Sequence, residues 1–287
     1  MSADPGPDPG TTTPSELDRD PLLDLATAGD WQALAHLGRF ALAGRTLRLT
    51  GEAEHAPDVA DALGVLAEVE AAVRVKAVAR ARQHLETLPP QTFPWLDREA
   101  LAGDLEALAA AVAAVDGRDP ERAREALALL RTDAFTAERE ILLGTLAVVE
   151  GEEAAALAHF ETGLARDPNH VRGLTNRGNV KLEAGDVDGA IADYERAIRI
   201  DEGFANAHHN LGVAYRRKGQ VGKSVAALRR AQRHAARRDA DEARASLRRG
   251  PMTGGAAPAG GNRWRRWLVI GALVALTYWI LQQRGII

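Results

Sequence analysis

The sequence predicts an all-α fold: a helical solenoid of stacked hairpins, followed by one C-terminal transmembrane helix. Three observations carry that expectation. Small residues and aromatics recur every 34 residues through the second half of the chain. Apolar residues elsewhere fall at helical spacing, and no alternating run of strand length stands out. Near the C-terminus, Trp267–Leu281 reads WLVIGALVALTYWIL and carries no charge. A chain of 287 residues with 46% hydrophobic content has ample material for a helical core.

In chain order, residues 1–20 are Pro, Gly, Asp and Thr with almost no apolar side chain, which predicts a disordered tail. They also lack the positive and apolar regions of a signal peptide. Residues 21–136 read as helical, with divergent repeats. Pro21–Ala43 holds two short helices about Gly29-Asp30, and Ala28-Gly29-Asp30 echoes Ala184-Gly185-Asp186. Asp58–Leu88 reads as one long amphipathic helix ended by Pro89-Pro90. Arg98–Val115 and Pro120–Arg131 form a pair around Asp116-Gly117. Gly117 lies 34 before Gly151, although Ala123 falls one residue late for the same register.

Residues 137–238 hold three units, 137–170, 171–204 and 205–238. In each, two apolar stripes flank a Gly-containing turn. Gly144, Gly178 and Gly212 share one position; Ala156, Ala190 and Ser224 a second; Phe160, Tyr194 and Leu228 a third; Gly163, Ala197 and Ala231 a fourth. Small residues permit close helix axes, and large ones fill the space between. This pattern resembles the tetratricopeptide repeat. The likeness covers about a third of the chain and is strongest in the second and third units; the proline that ends the second helix is present as Pro168 and replaced by Glu202 in the next unit. The resemblance implies a protein-binding solenoid in which the first helix of each unit (helix A) lines a concave groove.

After the repeats, 239–249 reads as a basic capping helix, 250–262 (GPMTGGAAPAGGN) as a flexible linker, and 263–287 as a transmembrane anchor with its flanks. The uncharged segment is apolar all round. Trp264 and Trp267 flank it on one side, Tyr278 and Trp279 on the other, as in interfacial belts. It is short beside the usual span of about 20 residues. Arg263, Arg265 and Arg266 precede it and only Arg284 follows, which predicts a single-pass protein with its N-terminal side inside and its C-terminus out. The Ala/Arg-rich, Lys-poor composition points to a bacterial plasma membrane with the repeats in the cytoplasm. Gly271 and Ala275 form a small-xxx-small pair that offers a route to a homodimer.

Charge is unevenly spread. Residues 1–170 hold 15 Lys/Arg against 30 Asp/Glu, whereas 171–249 hold 17 against 10. The basic run 216–249 lies one linker from the proposed membrane, where anionic lipid would attract it. The alternative is a nucleic-acid-binding or regulatory helical-repeat protein using that 216–249 face. No aromatics interleave with the basic residues, which favours the membrane.

No feature supports an autonomous enzyme or a cofactor. There is no cysteine, no HExxH, no nucleophile elbow and no Walker loop, and the adjacent pair His208-His209 points two ways on a helix. The predicted sites are therefore partner-binding. The resemblance places Arg172, Thr175, Asn179, Asn206, His209, Val213 and Arg216 on the groove. Asn179, Asn210 and Arg244 match three of five polar positions with which chaperone-binding relatives hold a C-terminal carboxylate. The function expected is a membrane-anchored scaffold that binds a peptide or partner protein.

Overall fold

A computed structural model describes residues 21–89 and 93–248. The chain divides into two compact units, 1–235 and 236–287. The expected N-terminal tail, the linker 250–262, the span Trp267–Leu281 and the pair Gly271/Ala275 lie outside the described residues. Among those described, no helix is long and apolar enough to cross a membrane.

The described residues form a succession of helices, those of the first unit packed chiefly on their neighbours in sequence: α1 (Pro21–Thr27), α2 (Trp31–His36), α3 (Phe40–Leu49), α4 (Pro57–Arg74), α5 (Val78–Glu86), α6 (Arg98–Asp116), α7 (Pro120–Ala128), α8 (Thr136–Glu150), α9 (Glu153–Arg166), α10 (Val171–Glu183), α11 (Val187–Ile200), α12 (Ala205–Arg217) and α13 (Val221–Arg248), whose last residues belong to the second unit. Their starts are written locally. Asp30, Asp97, Asp119 and Asp186 each accept the backbone N–H three residues on, closing a helix N-terminus. The Ala-Gly-Asp echo is structural: Gly29 and Gly185 both take left-handed φ, 78° and 89°, and the following aspartate caps the next helix. The fold is an all-helical solenoid, and no strand occurs among the described residues.

Three expectations are corrected. Asp58–Leu88 is not one helix. It breaks at Val75-Lys76-Ala77 into α4 and α5, and Lys76 takes φ 59° to make the turn. Gly117 is not the counterpart of Gly151: its φ is −78°, and Arg118 beside it adopts φ 58°. The register thus shifts by one, which also explains why Ala123 falls late; Ala123 is fully buried. Finally, α13 runs unbroken to Arg248, so 239–249 is no separate helix as far as that residue.

The phased glycines do what close packing requires. A methyl group on Gly144 would lie 2.7 Å from the Phe160 ring, on Gly178 2.6 Å from the Tyr194 ring, and on Gly212 2.8 Å from Leu228. Each large residue of helix B therefore rests on the bare backbone of its own helix A. Phe160 and Tyr194 are fully buried, while Leu228, in the last unit, is half-buried.

Candidate functional site: the helix-A face and a buried ionic junction

The helix-A face is built by a repeated cross-link. Asn176 Nδ2 donates to Thr145 Oγ1 at 3.2 Å, and Asn210 Nδ2 donates to Asn179 Oδ1 at 2.7 Å. Both bonds join the ninth position of one unit to the sixth of the next. The same Asn179 oxygen accepts the Tyr194 hydroxyl at 2.8 Å. Burial, aided by the charges of Asp193 and Glu183, pushes that hydroxyl well above its ordinary value, so Tyr194 stays a neutral donor. Asn179 and Asn210 are thus committed to holding α10 and α12 in register. Around them Asn206, His209 and Arg216 are exposed and Val213 is half-buried.

Two of the predicted residues are not available to a ligand. Thr175 is buried, and its hydroxyl donates to the Val171 carbonyl of the preceding turn. Arg172 points away to an internal partner: its Nε donates to the Arg74 carbonyl at 2.8 Å and its other end pairs with Glu138. Arg172 is engaged because α4 reaches the start of α10, which a repeat alignment does not reveal. Arg244 lies in the second unit, exposed and paired with Asp241 at 3.2 Å.

The contact that claims Arg172 belongs to a junction absent from the sequence reading. Asp167, 2% exposed, accepts Arg39 at 2.7 Å and Arg74 at 2.9 Å. Glu70 pairs with Arg74 at 2.6 Å and accepts the Ala41 N–H at 3.1 Å, placing a carboxylate at the start of α3. His170 caps α10 by accepting the Gly173 N–H on Nδ1 at 3.0 Å. Its Nε2 therefore carries the proton and donates to Glu138 at 2.9 Å. Burial opposes ionisation of Glu138, but His170 and Arg172 outweigh it and hold the carboxyl below its ordinary range. Backbone approaches closely here as well. Gly38, at φ 70°, leaves only 2.0 Å between a would-be Cβ and the Ala134 carbonyl oxygen, so no side chain fits. The charges pair with one another, while the Nε of Arg39 and of Arg74 are buried without a partner, and among the described residues no cluster suits a metal ion.

Against known proteins, residues 178–219 match the family model described as TPR repeat. No curated protein sequence matches the chain. Similar solved structures include MamA, at 20% identity and a TM-score of 0.39 over 60% of this chain and 96% of that one. YrrB, titled a TPR protein with an unusual peptide-binding site, is 19% identical at a TM-score of 0.38 over 64% and 91%. The APC/C hetero-tetramer Cut9–Hcn1 is 19% identical at a TM-score of 0.42 over 78% of this chain and 40% of that one. The stretch 178–219 is thus similar to the TPR repeat.

Proposed function

We propose that this chain is a scaffold, held to a bacterial plasma membrane by Trp267–Leu281 with its repeats in the cytoplasm, whose helix-A face receives a segment of a partner protein. One observation carries the binding half: the Asn179–Asn210 bond fixes α10 on α12 while Asn206, His209 and Arg216 stay exposed beside it. A rigid row of exposed donors over a half-buried Val213 suits an extended peptide. The uncharged run, its flanking aromatics and the bias of arginines to its N-terminal side support the anchor.

The test is site-specific photo-crosslinking in native cells with the full chain. A photoreactive residue at Val213 should yield a discrete adduct that one at exposed Glu161 on α9 does not, and Asn206→Ala with Arg216→Ala should lower its yield. Equal adducts from both sites, or none at Val213, would remove the helix-A face as the site. The anchor is judged separately, by whether the full chain stays in the membrane pellet after an alkaline wash. Recovery in the supernatant defeats it.

A further inference from the structure

We propose a second docking site, on the back of the last two repeats, for an acidic peptide with an apolar anchor residue. It goes beyond the helix-A reading and uses a different surface. The groove, about 390 Å³, lies between α11, α12 and α13. On α12 it takes His208, Leu211 and Tyr215. At about 100° per residue these lie on the opposite side of the helix from Asn206, Asn210 and Val213.

Charge complementarity selects the ligand. Arg199, Lys223 and Arg230 line the rim. All three are exposed, and none has a carboxylate within ion-pair distance among the described residues. Elsewhere on the same repeats Arg177 and Lys181 share Asp193, Arg217 takes Glu183 and Lys218 takes Asp188, while Arg196, Arg216, Arg229 and Arg233 are exposed like the groove's three. Three unpaired cations around one groove leave a positive field that an incoming carboxylate would meet. The groove's single acid, Glu195, is engaged from within by the Tyr215 hydroxyl at 2.8 Å. Burial first, and then that bond to Glu195, pushes the Tyr215 hydroxyl up to about 12. Lys223 sits over the Tyr215 ring, 5.3 Å from its centroid.

Beneath the rim the floor is apolar: Ile198, Leu211 and Ala227. His208 closes the groove from behind. His208 is 2% exposed, and its Nε2 is taken by the Glu202 carbonyl at 2.9 Å. Nε2 is therefore the protonated nitrogen, and Nδ1 is an acceptor, buried and without a protein partner. The ring is stacked on His234, with centroids 5.1 Å apart and planes 6° from parallel. The groove thus combines cations with an apolar floor. An acidic chain with one apolar side chain meets both; a phosphodiester meets only the first.

The experiment uses the full chain in detergent and fluorescence anisotropy. The probe is a synthetic peptide with one leucine between runs of glutamate; the controls are its glutamine counterpart and a single-stranded DNA. The glutamate peptide should bind at least about tenfold more tightly than the glutamine one, and more weakly as salt rises. Arg199→Ala with Arg230→Ala should weaken it by about tenfold or more without moving the melting temperature, since both are exposed. Glu195→Gln should tighten it, an effect of opposite sign that a merely structural role would not produce. Asn206→Ala with Arg216→Ala should leave it unchanged, which separates this site from the helix-A face. Equal binding of the glutamine peptide, indifference to the arginine pair, or tighter binding of DNA in this groove would each overturn the proposal.

Discussion

Replacing Asp167 by asparagine tests whether the ionic junction holds the N-terminal helices on the repeats. The substitution keeps the shape and the Oδ1 acceptor that takes the Asn169 N–H at 3.1 Å, and it removes only the charge. Arg39 then loses its closest anion and Arg74 one of its two, with Glu70 left to serve both: it lies 2.6 Å from Arg74 but 3.6 Å from Arg39. Breaking a buried pair from one side costs about 3–5 kcal/mol. Arg39 is 11% exposed at its side chain and Arg74 33%, so water screens part of the second loss. The lower end, about 3 kcal/mol, is the better figure. For a unit of this size that corresponds to a fall in Tm of roughly 6–12 °C, read by far-UV circular dichroism. Asp167→Leu with Arg39→Met provides the second arm. It removes both ends of one pair and should recover part of the loss, because an apolar replacement carries no stranded charge. A fall of less than about 2 °C for Asp167→Asn would mean that the arginines are adequately served elsewhere and that the junction contributes little.

Other expectations follow from single residues. Gly178→Ala puts a methyl 2.6 Å from the Tyr194 ring and should cost about 1–3 kcal/mol in urea unfolding, whereas Gly222→Ala, with nothing within 4 Å, should be neutral or stabilising by up to about 1 kcal/mol; the reverse order would undo the packing assignment. Lys76→Gly and Arg118→Gly relieve left-handed φ values of 59° and 58° and should each raise stability by about 0.5–1 kcal/mol, unless the Lys76–Asp116 pair at 3.5 Å is worth as much. For Glu138 the folded pKa is depressed, so its ionised form adds stability above the ordinary carboxylate value of about 4.3. That contribution is lost as pH falls through the lower folded value. Glu138→Gln should therefore be less stable at neutral pH and show a shallower acid limb in its Tm profile; a parallel limb would mean that Glu138 does not titrate with unfolding.

The repeats were readable because their signal is local and periodic. Gly178 and Tyr194 stand 16 apart in one unit, and the contact between them recurs at Gly144 and Phe160. The turn at Lys76 was not readable, because a left-handed lysine leaves no glycine or proline in the sequence to announce it. Arg118 hid the same way, with Gly117 beside it as a decoy. At the candidate site, the positions expected on α12 came from the resemblance to the tetratricopeptide repeat. The engagement of Arg172 did not, since its partner comes from α4, 98 positions away. Arg39, Glu70 and Arg74 are ordinary surface-type residues by sequence, and only the fold brings them to Asp167. The spare Nδ1 of His208 is equally silent, because its meaning depends on which nitrogen the Glu202 carbonyl takes.

The Arg172–Arg74 bond spans 98 positions of sequence. In a plain array each repeat touches only the next, so unfolding can begin at either end and travel inward one hairpin at a time. Here α3 and α4 are fastened to the head of α10 with five helices between, and those intervening hairpins cannot be released singly without also breaking the fastening. Hydrogen exchange should accordingly sort the first unit into two cooperative blocks: α3 to α10 opening together, and the repeats beyond them fraying on their own. Length within the fastened stretch is fixed too. Deleting or duplicating one hairpin between α4 and α10 would carry Asp167 away from its arginines, whereas the array can be lengthened beyond α10 at no such cost.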